Sequence, residues 1–208
     1  MLRRTTIFFA LFLTGSALLL TGCDSTGSNK SEDGGGLGVH RVEDLPADPV
    51  TSSGGGRPSG TGKYTFYSLR DSSTVLSYDK SSRADSASTQ WGIAFQSTNV
   101  ILNGGDNGPG DGAAYLAEKP FEEVAEVDTD RFAKHSAGDW YNYNRETHVV
   151  TPKPGRTLVV RTANGNAYAK IRFVSYYEGA PDDPAESDAA SRYYTFEYVI
   201  QTNGTSFK

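Results

Sequence analysis

The chain has 208 residues, the size of one ordinary domain, and its 20 basic and 25 acidic side chains give a net charge of −5. This acidic balance, with no basic stripe in the sequence, excludes nucleic-acid binding because phosphate backbones would be repelled. Cys23 is the single cysteine, which excludes a disulfide framework and a cysteine-rich metal site. The 12 Tyr and 10 Phe residues supply a packed core, and 23 Gly favour short strands with many turns.

Residues 1–22 have the pattern of a bacterial export signal. Two arginines open the segment, residues 7–20 form an apolar stretch, and Leu-Thr-Gly immediately precedes Cys23. This ending resembles a lipobox, in which the cysteine thiol accepts the lipid. The alternatives are a plain secretory signal or a transmembrane helix, but the apolar stretch is short for a span of about 20 residues. We therefore predict a protein anchored by lipid alone at the outer membrane or cell surface.

A flexible tether is predicted for residues 23–38, ahead of a single domain at 39–208. Between positions 24 and 62 no residue is aromatic, and almost half are Gly, Ser or Pro. Such a sequence has little apolar surface whose burial could offset the conformational entropy that is lost when the segment becomes ordered. Within it, residues 39–45 alternate and predict a first strand, whereas residues 51–62 predict a mobile loop.

The rest of the chain is β-rich. Residues 63–69 alternate, with Tyr64, Phe66 and Ser68 on one face, and the runs at 91–95 and 98–102 predict a second pair of strands. Only residues 118–131 contain a plausible helical turn. The glycine-rich stretch 103–112 predicts a conformationally demanding loop between strands, because no helix follows it to complete a phosphate site.

Two further runs predict a hairpin and a closing strand. Residues 156–162 lead through Asn164-Gly165 into residues 167–177, and Asn-Gly predicts a two-residue hairpin turn. Residues 193–201 close the chain, with Tyr194, Phe196, Tyr198 and Ile200 on one face. The fold class is therefore all-β: an antiparallel sandwich or barrel with long loops and at most one short helix.

Enzyme signatures are weak in this sequence. The neighbouring carboxylates at 128–130 and 181–184 lack the spacing of a calcium loop and indicate solvated loop charge. The sequence contains no nucleophile elbow, phosphate-binding loop or zinc-protease motif. A hydrolase remains the third hypothesis, and we predict a protein that is not an enzyme.

Three histidines remain to be placed. His40 lies beside the tether and is expected to be solvated. His135 and His148 flank a short aromatic and amide-rich segment that contains Trp140, Tyr141 and Tyr143. Two imidazoles beside aromatic surface are what a haem or metal site requires, although their spacing alone favours two surface histidines next to a hydrogen-bonded loop.

Several blocks of sequence, in their order along the chain, resemble the HmuY family of bacterial haem-binding lipoproteins. These blocks are Trp91–Phe95, Asn103–Ala114, Val159–Gly165, Ala169–Tyr177 and Tyr194–Tyr198. The resemblance covers almost the whole predicted domain. It implies an all-β surface lipoprotein that captures haem and passes it to an outer-membrane receptor, with a TonB-dependent receptor as the expected partner.

The resemblance also implies two histidine ligands ahead of the strand at 159–162. When the chain is aligned on residues 140–143, Arg145 stands at one expected ligand position and His148 follows three residues later. We therefore expect His148, on a strand formed by residues 147–151, to be an iron ligand and His135 to be the opposite one. If His135 cannot reach the iron, Tyr141 or Tyr143 would bind ferric iron as a phenolate. The alternative function is a surface module for a polysaccharide or a protein partner.

Overall fold

The computed structural model of the chain describes residues 37–50 and 59–208, and these residues form an all-β domain. The predicted export signal, Cys23, most of the predicted tether and most of the predicted loop at 51–62 lie outside the described residues. The strands are β1 (His40–Pro46), β2 (Thr65–Ser68), β3 (Ser73–Leu76), β4 (Ile93–Gln96), β5 (Asn99–Leu102), β6 (Ala113–Ala117), β7 (Tyr141–Tyr143), β8 (Val150–Pro152), β9 (Thr157–Arg161), β10 (Tyr168–Tyr177) and β11 (Ser191–Gln201).

Short 3₁₀ turns are the helical elements of the described residues. They occur at Arg83–Ala87, Gly105–Asn107, Phe121–Glu123 and Thr129–Arg131. Two of them fall within the stretch 118–131, where the sequence predicted a helical turn. Among the described residues no helix is long and apolar enough to cross a membrane.

The strands pair in three antiparallel sheets. The first sheet has the order β1-β11-β10-β9-β6, the second has the order β3-β2-β4-β5, and β7 and β8 form a separate hairpin. The first predicted strand is confirmed as β1, which pairs with β11 from the other end of the chain. The runs at 91–95 and 98–102 are confirmed as the paired strands β4 and β5.

The core lies between the first and second sheets. Phe196 and Tyr194 of β11 are fully buried against Phe95 of β4, with ring centroids 5.4 and 4.8 Å apart. The predicted inward face of the closing strand is thus confirmed. Successive side chains point to opposite sides of a strand. Val199 of β11 therefore faces away from the main core and packs in a second cluster on the outer face of the first sheet.

The outer face of the second sheet carries a third, smaller cluster. Phe66, Trp91 and Ala94 are buried there, and Tyr64 and Ile101 pack against them. All four residues of β2 are buried, because Tyr67 on the opposite side faces the main core. The predicted alternation of β2 is correct, but both faces of this strand are covered.

The connection between β9 and β10 differs from the predicted two-residue turn. The Thr162 amide donates to the Ala167 carbonyl, and the Gly165 amide donates to the Thr162 carbonyl, both at 2.9 Å, so four residues form the loop. Gly165 has φ +74°, whereas Asn164 does not have a positive φ. The side-chain oxygen of Asn164 instead accepts a hydrogen bond from the Thr162 hydroxyl at 2.7 Å, which stabilises the longer loop.

Candidate functional site

The hairpin of β7 and β8 carries three of the five predicted site residues on or beside β7. Tyr141 is opposite Pro152 and Tyr143 is opposite Val150. The Val150 amide donates to the Tyr177 hydroxyl at 3.1 Å, and the Lys153 amide donates to the Trp140 carbonyl at 2.9 Å. The first bond attaches the hairpin to β10 of the first sheet, and the second joins the two ends of the hairpin to each other. The residues that connect β7 to β8 are exposed.

Trp140 is a core residue. Its side chain is 2% exposed, and its ring lies 4.6 Å from Phe173 and 5.3 Å from Tyr194 between centroids. Its indole N–H donates to the Thr98 carbonyl at 3.1 Å. Trp140 therefore fixes the start of the hairpin to the body of the domain and presents no surface to a ligand.

The two tyrosines of β7 differ in exposure because one lies at the attached end of the strand. Tyr141 is half-buried with its ring centroid 5.0 Å from that of Trp140. Tyr143, two residues further from the body, is 50% exposed. The half-exposed Tyr143 ring is available to bind a ligand.

Tyr143 and His148 form a hydrogen-bonded pair. The Tyr143 Oη and the His148 Nδ1 are 2.5 Å apart, and the ring centroids are 6.0 Å apart with the planes at 41°. Both residues are exposed. In the tautomer that carries its proton on Nε2, the His148 Nδ1 accepts a hydrogen bond from the Tyr143 phenol.

His148 lies in the connection between β7 and β8, so the prediction that residues 147–151 form a strand is wrong for its first half. Its φ is +59°, in the left-handed region. The Asn144 side-chain oxygen accepts from the amides of Glu146 and Thr147 at 2.8 and 3.2 Å, and this turn reverses the chain. The alternation of Thr147 and Val149 looked like a strand in sequence, but the turn at Asn144 dominates and places His148 beside Tyr143.

His135 has a different environment. Its Nδ1–H donates to the Gly112 carbonyl at 2.7 Å, and its backbone carbonyl accepts from the Leu102 amide and the Asn107 side chain. The ring lies so close to Gly105, which has φ +58°, that a Cβ there would be 2.6 Å from the imidazole Cδ2. His135 thus holds the glycine-rich loop, and among the described residues it makes no contact with His148.

His40 is not solvated as expected. It is half-buried, and its ring stacks on Tyr198 with centroids 4.8 Å apart and planes at 14°. Its Nδ1 is 3.1 Å from the Ser72 hydroxyl. The expectation failed because β1 pairs with β11, which places His40 directly opposite Tyr198.

The predicted loop at 103–112 is confirmed and is organised by one buried amide. Asn103 is fully buried, and its side-chain nitrogen donates to the carbonyls of Ser88 and Trp91 at 2.7 and 2.9 Å. Its side-chain oxygen accepts from the Gly110 amide at 3.0 Å. The buried amide satisfies backbone groups of two loops at once, which rigidifies this end of the domain.

The neighbouring carboxylates are exposed, as predicted, at 128, 130, 182 and 183. In the described part of the chain, no group of three or more His, Cys, Asp and Glu side chains is arranged to hold a metal ion. This result does not bear on a ligand that carries its own metal ion, such as haem, because such a ligand needs only one or two donor atoms from the protein.

A cavity of about 590 Å³ was missed by the sequence-based predictions. It lies beside Tyr64, Phe66 and Ile101, and its border includes Ser81, Ser82, Ser86, Asp106 and Asn107. The alternation of residues 63–69 places Tyr64 and Phe66 on one face, which was the available signal. Nothing in the sequence linked that face to the two distant segments that complete the cavity.

The chain matches no protein-family model and no curated protein sequence.

Proposed function

We propose that this protein is a non-enzymatic, lipid-anchored surface protein that captures haem, with Tyr143 as the iron ligand. The Tyr143–His148 hydrogen bond on an exposed hairpin is the observation that carries the proposal. His148 has the role of proton acceptor for the phenol in place of the axial-ligand role expected from the sequence. Cys23, as the lipidated residue, belongs to the same proposal and places the site at the outer membrane or cell surface.

The chemistry of the pair suits ferric haem. A tyrosine binds ferric iron as a phenolate, as in catalase-type ligation, so its proton must be transferred to a base. The His148 Nδ1 is in hydrogen-bond contact with the phenolic oxygen and accepts this proton, which yields an imidazolium beside the phenolate. The positive ring then stabilises the negative oxygen, and this helps to keep the phenolate in its ligating form.

A second group in the same connection supports the binding of a porphyrin. Arg145 lies two residues after Tyr143 and is exposed. Its guanidinium is suited to carboxylates such as the propionates of haem. His135 lies against the glycine-rich loop, away from the Tyr143–His148 pair, so the proposal uses one protein ligand, and a haem bound in this way would be five-coordinate and high-spin.

The exposure of the site is consistent with capture and transfer. Tyr143 is half-exposed and His148 is exposed, so a bound haem would stay accessible to another protein. One ligand also makes release easier than two would. The partner proposed for the bound haem is a TonB-dependent outer-membrane receptor, and the route to the membrane is the lipid anchor alone.

Titration of the tag-free mature chain with hemin tests the proposal. We expect a saturable Soret shift at micromolar protein, with the spectrum of a high-spin ferric tyrosinate. Tyr143→Phe is expected to weaken hemin binding on the order of tenfold or more, which corresponds to about 1.4 kcal/mol. His148→Asn is expected to weaken it less, because the phenol remains while its proton acceptor is lost.

Tyr141→Phe is the matched control, since it removes a phenol from the same strand without touching the pair, and His135→Asn controls for the other imidazole. Both variants are expected to bind hemin like the parent protein. A parent protein that shows no saturable shift refutes haem capture. A low-spin spectrum that survives Tyr143→Phe and is lost in His148→Asn would refute tyrosine ligation and identify His148 as the ligand.

A further inference from the structure

The cavity of about 590 Å³ lies on the outer face of the second sheet, and the β7–β8 hairpin takes no part in it. Its floor is formed by side chains that pack on the small outer cluster, namely Tyr64, Phe66 and Ile101. The 3₁₀ turn Arg83–Ala87 and the turn Gly105–Asn107 contribute to its rim through Ser86, Asp106 and Asn107. Its volume is within the range of about 300–1,000 Å³ that is typical of small-molecule sites.

The floor of the cavity is aromatic. Phe66 is 4% exposed, and its ring centroid is 6.3 Å from that of the half-buried Tyr64, with the planes at 41°. Phe66 is held from below by Trp91, whose ring centroid is 5.0 Å away. This support leaves little freedom to the Phe66 ring, so this part of the floor is already formed before a ligand binds.

The rim carries polar groups that are not used by the fold. Within the described part of the chain, the Tyr64 hydroxyl, the Lys63 ammonium and the Asp106 carboxylate have no hydrogen bond or ion pair. Asn107 donates its side-chain N–H to the His135 carbonyl at 2.8 Å, which orients its amide and leaves the side-chain oxygen as an acceptor. The cavity thus combines donors and acceptors around an apolar floor.

The electrostatics of the cavity favour a neutral ligand. Lys63 and Asp106 contribute opposite charges, so neither sign dominates. The Tyr64 phenol is a neutral hydroxyl around pH 7, as any tyrosine is, and burial raises its pKa further above the usual value. A protonated hydroxyl is a hydrogen-bond donor and acceptor, whereas a phenolate that would bind iron is disfavoured here.

We propose that this cavity is a second binding site, for a neutral carbohydrate of one or two sugar units. A sugar ring has an apolar C–H face that matches the half-buried Tyr64 ring of the floor, and an edge of hydroxyls that matches Asp106 and the Asn107 amide. Aromatic rings with a polar end suit ligands that are apolar on one side and polar and hydrated on the other. The site does not depend on the haem proposal, because it uses different residues.

A printed array of neutral mono- and oligosaccharides, probed with the labelled mature chain, tests this inference. We expect the parent protein to bind a subset of the sugars, and Asp106→Asn to reduce the array signal about tenfold. Asp106 is exposed, so this substitution leaves the core unchanged. Tyr64→Ala removes part of the floor and is expected to abolish the signal, and its circular dichroism and melting temperature establish whether it is folded.

Tyr143→Phe is the matched control on the array, because it changes the other site and is expected to bind sugars like the parent. The absence of any sugar signal from the parent protein overturns the inference. A signal that is unchanged in both Asp106→Asn and folded Tyr64→Ala overturns it as well. If Tyr64→Ala is unfolded, Asp106→Asn alone decides, and an unchanged signal then refutes the site.

Discussion

Gly104 shows how a single residue shapes the loop that follows β5. A Cβ at this position would lie 2.1 Å from the Gly112 carbonyl oxygen, far inside van der Waals contact. The segments around Gly104 and Gly112 are also joined by a β-bridge between Gly104 and Asp111. A hydrogen bond from the Gly112 amide to the Asn103 carbonyl, at 2.7 Å, joins them as well. Only glycine permits this close approach of two backbones.

We therefore expect Gly104→Ala to lower the free energy of unfolding by about 1–3 kcal/mol, since the loop must open to accommodate the methyl group. Gly138→Ala is the matched control, because a Cβ at that position has no heavy atom within 4 Å. Its effect is expected to stay within about 0.5 kcal/mol. Urea unfolding followed by fluorescence measures both. Equal stability of the two variants would contradict this role of Gly104.

At the scale of elements, a row of charges joins three neighbouring strands. Glu197 of β11 is directly opposite Arg41 of β1 and Arg172 of β10. Its carboxylate accepts from Arg41 at 2.6 Å and from the Arg172 Nε at 2.7 Å, and its side chain is only 13% exposed. Burial by itself would raise the pKa of Glu197, but the hydrogen bonds from the two arginines outweigh it, so its pKa is lowered from 4.5.

This lowered pKa makes the contribution of Glu197 to stability depend on pH. The carboxylate binds a proton more readily in the unfolded chain, so its contribution is fully present above pH 4.5 and is lost as the pH falls through the lower folded-state pKa. We expect Glu197→Gln to cost about 1 kcal/mol at pH 7, as is typical of partly exposed pairs. The difference from the parent protein should shrink in urea unfolding below pH 4.5. A difference that does not decrease as the pH is lowered below 4.5 would contradict this explanation.

At the scale of the whole molecule, stability depends on the contact between the first and second sheets. Phe196 is fully buried at the centre of this contact, with Phe95 from the opposite sheet 5.4 Å away and Tyr67 5.7 Å away between ring centroids. Aromatic side chains of this size dominate the burial of apolar surface in small domains. The loss of one of them affects both sheets.

Phe196→Ala is expected to lower the free energy of unfolding by about 3–5 kcal/mol, because it removes buried surface and leaves a cavity. This loss is a large part of the roughly 5–15 kcal/mol that stabilises a typical domain. Val174→Ala in β10 is the control, since Val174 is 37% exposed, and its effect should stay below about 1 kcal/mol. Chemical denaturation measures both values. A small effect of Phe196→Ala would show that the sheets do not depend on this contact.

Local periodicity was sufficient to predict the fold class and several strands. The alternation in β11 placed Tyr194, Phe196 and Tyr198 on one face, and all three are fully buried. Alternation is a strand property that each segment carries by itself, because successive side chains point to opposite sides. The loop at 103–112 was also predictable, because a dense run of glycines favours a loop and no helix follows it to complete a phosphate site.

The candidate site was predictable only in part. The sequence indicated the segment that contains Tyr143 and His148, since it combines imidazole and phenol side chains within a few residues. It did not indicate that they pair, because the turn made by the Asn144 side chain reverses the chain and places His148 at φ +59°. Trp140 looked like a ligand-binding residue in sequence and is in fact buried at 2% exposure.

The sequence by itself determined an all-β domain, because strand periodicity, glycine turns and the absence of long helical patterns are local properties. Tertiary structure alone decided which strands are neighbours, and with them the environment of each histidine. β1 pairs with β11 from the opposite end of the chain, so His40 stacks on Tyr198, and His135 lies against the glycine-rich loop. The sugar-sized cavity joins three distant segments of the chain, represented by Tyr64, Ser86 and Asp106. Contacts between distant segments depend on the packing of whole sheets, and no local pattern encodes them.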